Sequence, residues 1–181
     1  MRTSHLGGAF VSVVAAALFG CGDGSSPTAP RIAQTGSGTA LAQSGGAMVT
    51  GSGHVPVGMT DDLREFTFHA IEHQDGTVSG SYKIERTDTG AYFVVQVTCL
   101  AVVGNTGWVA GIISETNAPG VSVGTVSYFW ARDNGEGDGA QPDIVSLARI
   151  NDRAGEDQLF CTNRPLLLPQ LTVQRGNVQV H

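Results

Sequence analysis

Lysine is almost absent: Lys83 is the one lysine among 10 basic residues, and nine arginines are scattered along the other positions. Acids outnumber bases 16 to 10. Recognition of nucleic-acid phosphates needs a basic stripe, and this chain has none. The same balance gives no electrostatic pull toward an anionic membrane. Charged residues make up only 14% of the chain, against 25 glycines. That is poor in charge for a helical cytosolic protein and suits strands and turns. No apolar run reaches the roughly 20 residues that a helix needs to cross a bilayer. With three cysteines in 181 residues, the chain is not a disulfide-dense scaffold. It is long enough to bury one ordinary core without such staples.

What is present first is an export signal. Arg2 supplies a positive start, and Leu6 to Phe19 is an uncharged, largely apolar run of 14 residues. It is too short to span a bilayer and fits a signal peptide. The run ends Leu18-Phe19-Gly20-Cys21, which resembles the lipobox of bacterial lipoproteins, although Phe19 is bulkier than usual. The resemblance implies a diacylglyceryl group on the Cys21 sulfur and cleavage before it. Residues 1–20 are then the signal peptide, and the mature chain carries a formal charge of 9 − 16 = −7, because Arg2 is lost and no acid is. Membrane contact must come from the lipid. Residues 21–47 continue rich in Gly, Ser, Ala and Thr with no aromatic. Such a segment cannot bury enough apolar surface to offset its ordering entropy. It reads as a tether whose root-mean-square span is on the order of 25–30 Å.

From residue 48 to 181 the pattern is that of one all-β domain. Phe66, Phe68 and Ala70 alternate with Thr67, His69 and Ile71, and Asp75-Gly76 supplies a hairpin turn. Val78–Glu85 alternates again, and Thr87–Gly90 turns the chain. Ala91–Val103 suits a strand buried on one face early and on both faces late. Trp108–Ile113, Val123–Ala131, Ile144–Ile150 and Leu171–Val180 follow, separated by turn residues. About eight short strands without a convincing long helix predict an antiparallel meander, either barrel or sandwich. Pairing of GSGHV at 51–55 with GNVQV at 176–180 would close a barrel.

GSGHV, FTFHA at 66–70, DGTVSG at 75–80, VTCLAVVGNTGWVAG at 97–111, DNGEG at 133–137, Cys161 and GNVQV, taken together, resemble a family of exported bacterial β-domains. The resemblance implies export and an all-β fold. It carries no catalytic residue across.

Four features are candidates for chemistry. Once Cys21 is lipidated, Cys99 and Cys161 are the remaining pair, and export makes a disulfide their simplest state. Two buried thiols, or a nucleophilic cysteine, are the alternatives. His69 and His73 stand four apart; four residues of strand span roughly 13 Å, too far to share one metal. His54 is a lone histidine beside glycines. Gly120-Val121-Ser122-Val123-Gly124 matches the pattern around a hydrolase nucleophile, but that elbow needs a following helix and a strand follows here. The loop from Asp133 to Asp143 places Asp133, Glu136, Asp138 and Asp143 among glycines. A hard cation would want six to eight oxygens, and the spacing is not that of an EF-hand. A loop of turn residues bonding to their own backbone is the plainer reading. No catalytic residue, metal or cofactor is therefore assigned.

The expected function is that of a lipoprotein of the bacterial cell envelope, held to a membrane through lipid on Cys21 on the periplasmic side or the outer surface. Its domain is expected to be non-catalytic and to bind a protein partner or small ligand. A lipocalin-like carrier is the alternative, with Trp108, Trp130, Phe129 and Tyr128 lining a cavity. A secreted hydrolase built from distant Asp and Glu residues is the third reading.

Overall fold

Alternating apolar residues commit each segment to one buried face, and the turns between them fold the segments back in succession. The structure, a computed structural model, describes residues 46–58 and 62–181. Cys21, the signal peptide and all but the last two residues of the tether lie outside them. Among the described residues there are ten strands and one helix. The strands are β1 (Met48–Pro56), β2 (Leu63–Glu72), β3 (Val78–Arg86), β4 (Tyr92–Val103), β5 (Thr106–Thr116), β6 (Val126–Arg132), β7 (Ile144–Ser146), β8 (Arg149–Asn151), β9 (Gln170–Thr172) and β10 (Arg175–Val180); the helix, α1 (Glu156–Asn163), falls between β8 and β9. All pairings are antiparallel, in the order β10-β1-β2-β3-β4-β5-β6-β7-β9, with β8 also on β6. The result is a curled, barrel-like single sheet, not a sandwich.

The chain's last segment joins the two ends of that sheet. Its first part, β9, pairs with β7; its second part, β10, pairs with β1. Gly51 faces Val178 and Gly53 faces Gly176, so the GSGHV and GNVQV strands do meet. Gly51 is needed there, because a Cβ would stand 2.5 Å from the Phe68 ring. The ordered ladder already begins at Ala47, whose carbonyl accepts the Glu72 N–H at 2.8 Å.

The strand count exceeds the expected eight for a simple reason. Ile144–Ile150 divides into β7 and β8, and Leu171–Val180 joins β9 to β10 across Val173 and Gln174. The helix was also not expected. It has eight residues, and its N-cap is Gly155 at φ 79 without a side-chain cap, so the usual start signals are missing.

Two apolar clusters hold the domain. Inside the curl, Phe66, Phe68, Tyr82 and Phe129 pack with centroids 5.0–5.6 Å apart, surrounded by Val49, Val95, Ile113 and Val178. Each such side chain contributes roughly 1.5–3 kcal/mol by leaving water. Outside, α1 covers β4, β5 and β6, with Phe160 against Tyr128, Trp108 and Trp130. A bulge in β4 makes the second cluster possible. Register shifts between Val97 and Cys99, so Val97 faces the inner core while Cys99 faces α1. The extra residue, Thr98, donates its hydroxyl to Asp157 Oδ2 at 2.6 Å.

Candidate functional site

The strand alternation that builds the core carries two arginines to its rim. Arg64 is in phase with buried Phe66, Phe68 and Ala70 on β2, and Arg86 is in phase with Tyr82 and Ile84 on β3. They are direct cross-strand partners. Like charges opposed in this way repel, and Asp62 stands between them. Its Oδ2 lies 3.5 Å from Arg64 Nη2, and its Oδ1 lies 3.5 Å from Arg86 Nε. Arg86 is further held by Asp88, with Nη2 2.8 Å from Oδ2 and Nε 3.2 Å from Oδ1. Among the described residues Arg64 has no such second carboxylate. Its Nε is buried and has no hydrogen-bond partner among the described residues.

These arginines line an open cup of about 460 Å³ at this end of the curl. Ile84, Phe93, Val121 and Ile150 supply its apolar wall, and the 117–121 loop forms one side. Asn117 pins that loop: its Oδ1 accepts the Tyr92 N–H at 2.7 Å, and its Nδ2 donates to the Gly90 carbonyl at 3.2 Å. The volume lies within the range of small-molecule sites. Below the cup, sharing Arg64 and Ile84, is an apolar space of only about 30 Å³, room for one or two waters. Tyr82 lines it and is 2% exposed. Burial pushes its phenol well above the usual tyrosine range, an effect the Ser127 hydroxyl opposes slightly. Among the described residues neither hydroxyl has a hydrogen-bond partner.

Asp62, Arg64 and Arg86 were not singled out from sequence, although their phase with the apolar positions was readable. The aromatic residues that were singled out divide differently. Phe129 faces the interior, but Trp108, Trp130 and Tyr128 lie on the outer face beneath α1. They line no internal cavity, because β6 alternates and places Phe129 opposite in phase to its neighbours.

Cys99 and Cys161 lie at disulfide distance, with Cα atoms 6.3 Å apart, and join β4 to α1. The separation falls within the usual range for a bridge. His69 is exposed on β2, and His73 Nε2 lies 2.7 Å from Ser79 Oγ; they share no ligand. Ser122 is exposed in a loop that runs into β6, without the helix of a nucleophile elbow.

The 133–143 loop is a seam. Asp143 Oδ2 accepts the Val178 N–H at 2.7 Å and its Oδ1 accepts the Asn134 N–H at 2.9 Å. Asp133 Oδ1 accepts from Gly135 N at 2.7 Å and Oδ2 from Val180 N at 3.3 Å. Glu136 accepts from Asn177 Nδ2 at 2.6 Å. Two of the four acids, Asp133 and Asp143, thus satisfy backbone donors on the side of β10 that β1 leaves open, Glu136 holds the Asn177 side chain, and Asp138 is exposed. Among the described residues no three His, Cys, Asp or Glu side chains converge as a metal site would require.

No family model, curated protein or solved structure matches the chain.

Proposed function

We propose that this chain is an exported lipoprotein of the bacterial cell envelope whose β-domain is a non-catalytic binding module for a small, largely apolar molecule. Support for the anchor is sequence alone: the apolar run ending at Leu18-Phe19-Gly20-Cys21, the tether behind it and the resemblance to exported bacterial β-domains. The observation that carries the binding reading is the open cup of about 460 Å³ with its apolar wall. A deep carrier of the lipocalin kind is less well supported, since the interior below the cup holds only about 30 Å³. A hydrolytic site would need two converging carboxylates. The carboxylate between the cup's two arginines, Asp62, is matched to them.

Binding of the neutral, environment-sensitive dye N-phenyl-1-naphthylamine tests this reading. Its fluorescence should rise with the wild-type protein, and Val121→Gln at the cup wall should weaken that binding at least several-fold. No saturable binding, or binding that Val121→Gln leaves unchanged, would place the ligand elsewhere or nowhere.

A further inference from the structure

We infer that the ligand of the cup is a carboxylic acid with a short apolar tail, and that Arg64 is the residue that holds its carboxylate. This rests on the cup being a binding site, as proposed above. The argument begins with the arginine pair. Arg64 and Arg86 are opposed across adjacent strands on the inward face, an arrangement that costs stability unless negative charge is shared between them. Asp62 supplies one carboxylate, but at 3.5 Å it approaches each arginine without making a hydrogen bond. Arg86 obtains its hydrogen bonds from Asp88. Among the described residues Arg64 obtains none at Nε, although that atom is buried. A buried donor on a cation without an acceptor carries its desolvation cost uncompensated. The Arg64 side chain is nevertheless 25% exposed and lines the cup, so an acceptor in the cup can meet its guanidinium.

The guanidinium fork selects the acceptor. Two parallel N–H groups match the two oxygens of a carboxylate, and such charge-assisted pairs are roughly twice as strong as neutral ones. The surroundings select the rest of the molecule. Ile84, Phe93, Val121 and Ile150 offer an apolar wall on the solvent side of Arg64. The roughly 30 Å³ below Arg64 admits no chain. The tail therefore lies in the cup and does not run down the barrel axis, which limits it to a medium-length chain or a single ring.

The test compares octanoic acid with octanamide, which has the same shape and no charge. Each is titrated against the full chain, purified in detergent from a bacterial host, carrying bound N-phenyl-1-naphthylamine. The acid should displace the dye at concentrations at least tenfold lower than the amide. In Arg64→Met the acid should lose its preference and the two should become equal, with an unchanged far-ultraviolet circular dichroism spectrum reporting that the variant is folded. Arg64→Lys should recover part of the preference through charge without the fork. Equal displacement by acid and amide in the wild type would overturn the carboxylate while leaving the cup as a binding site. A preference that survives Arg64→Met would overturn the role of Arg64. Displacement by neither would sink the binding reading itself.

Discussion

Asp143 is the residue on which closure of the sheet most depends, and replacing it with alanine should be among the most damaging single changes outside the aromatic core. It is 7% exposed and touches both sides of the seam. Its side chain accepts from Val178 N on β10 and Asn134 N at the start of the loop, while its carbonyl accepts from Val173 N at 2.9 Å. Alanine keeps the carbonyl contact and removes the other two. The Val178 N–H is fully buried, so its loss carries the full penalty of an unsatisfied donor, about 1–3 kcal/mol. The Asn134 N–H is half-buried and regains some water, which adds about 1 kcal/mol. The sum, about 2–4 kcal/mol, is a large part of the roughly 5–15 kcal/mol that holds a domain together. In urea, with a slope near 2 kcal/mol per molar, the midpoint should fall by about 1–2 M. Asp143→Asn retains one acceptor and should lie between alanine and wild type. Asp138→Ala, at the exposed tip of the same loop, should stay within about 0.5 kcal/mol. If Asp143→Ala unfolds at the wild-type midpoint, these hydrogen bonds do not hold the seam.

Other expectations follow from the same structure. Calcium raised from chelated to millimolar should leave the melting temperature unchanged, because Asp133, Glu136 and Asp143 are bonded to backbone and amide donors and Asp138 is splayed into solvent; a rise abolished by Asp133→Asn with Asp138→Asn would reverse that. Peptide mapping without reductant should recover Cys99 joined to Cys161, and Cys99→Ser should lower stability by about 4 kcal/mol for a loop of 62 residues; two freely alkylated thiols would contradict the bridge. An alkyne fatty acid should label the wild type in a bacterial host and leave Cys21→Ala unlabelled, whereas equal labelling would remove the anchor. Burial opposes the charge of Asp157, but hydrogen bonds from Thr98, from backbone N–H groups of α1 and from Gln158 outweigh it and hold its carboxyl below the usual range. A depressed carboxyl stabilises fully above its unfolded value near 4 and loses that contribution as pH falls through the lower folded value. The stability gap between wild type and Asp157→Asn should therefore be full at pH 6 and shrink below about pH 4.

Much of this architecture is legible in the residues because period-two alternation is a strong local signal. Phe66-Thr67-Phe68-His69-Ala70 states which face is buried, and Asp75-Gly76 states where the chain reverses: Gly76 takes φ 79 and Asp75 Oδ1 accepts from Thr77 N at 2.9 Å. What was not legible depends on partners distant in sequence. The break between β7 and β8 at Leu147 arises because Leu147 N donates to the Pro169 carbonyl at 2.8 Å, 22 residues away. The helix α1 is held by Thr98 and Cys99 and by packing on Trp108 and Trp130, and its N-terminus has no side-chain cap. Trp108 and Trp130 face each other in register on β5 and β6, yet nothing local says that their shared face is the outer one, because a helix covers it.

The site was missed for a related reason, and the reason bears on how such sites form. An arginine at a strand end is ordinarily read as the point where burial stops. Arg64 and Arg86 satisfy that reading individually: each follows the inward phase and stands one step beyond an apolar residue. Only the β2–β3 register makes them direct partners, and only the curl of the sheet turns their shared face toward a cup instead of open water. The hairpin fixes that register locally through Asp75-Gly76, eleven residues from either arginine, so the pairing is a consequence of turn chemistry and strand length alone. A one-residue slip between β2 and β3 would put the two arginines on opposite faces and carry either Tyr82 or Phe66 and Phe68 out of the core. The forces that bury the aromatic core are thus the same forces that hold two cations inward at its rim, and the core's stability offsets the repulsion between them. Asp62 and Asp88 add local stabilisation chiefly to Arg86, which leaves the part-exposed Arg64 guanidinium, held among the described residues by Asp62 alone, as the cation at the cup best placed to meet an anion.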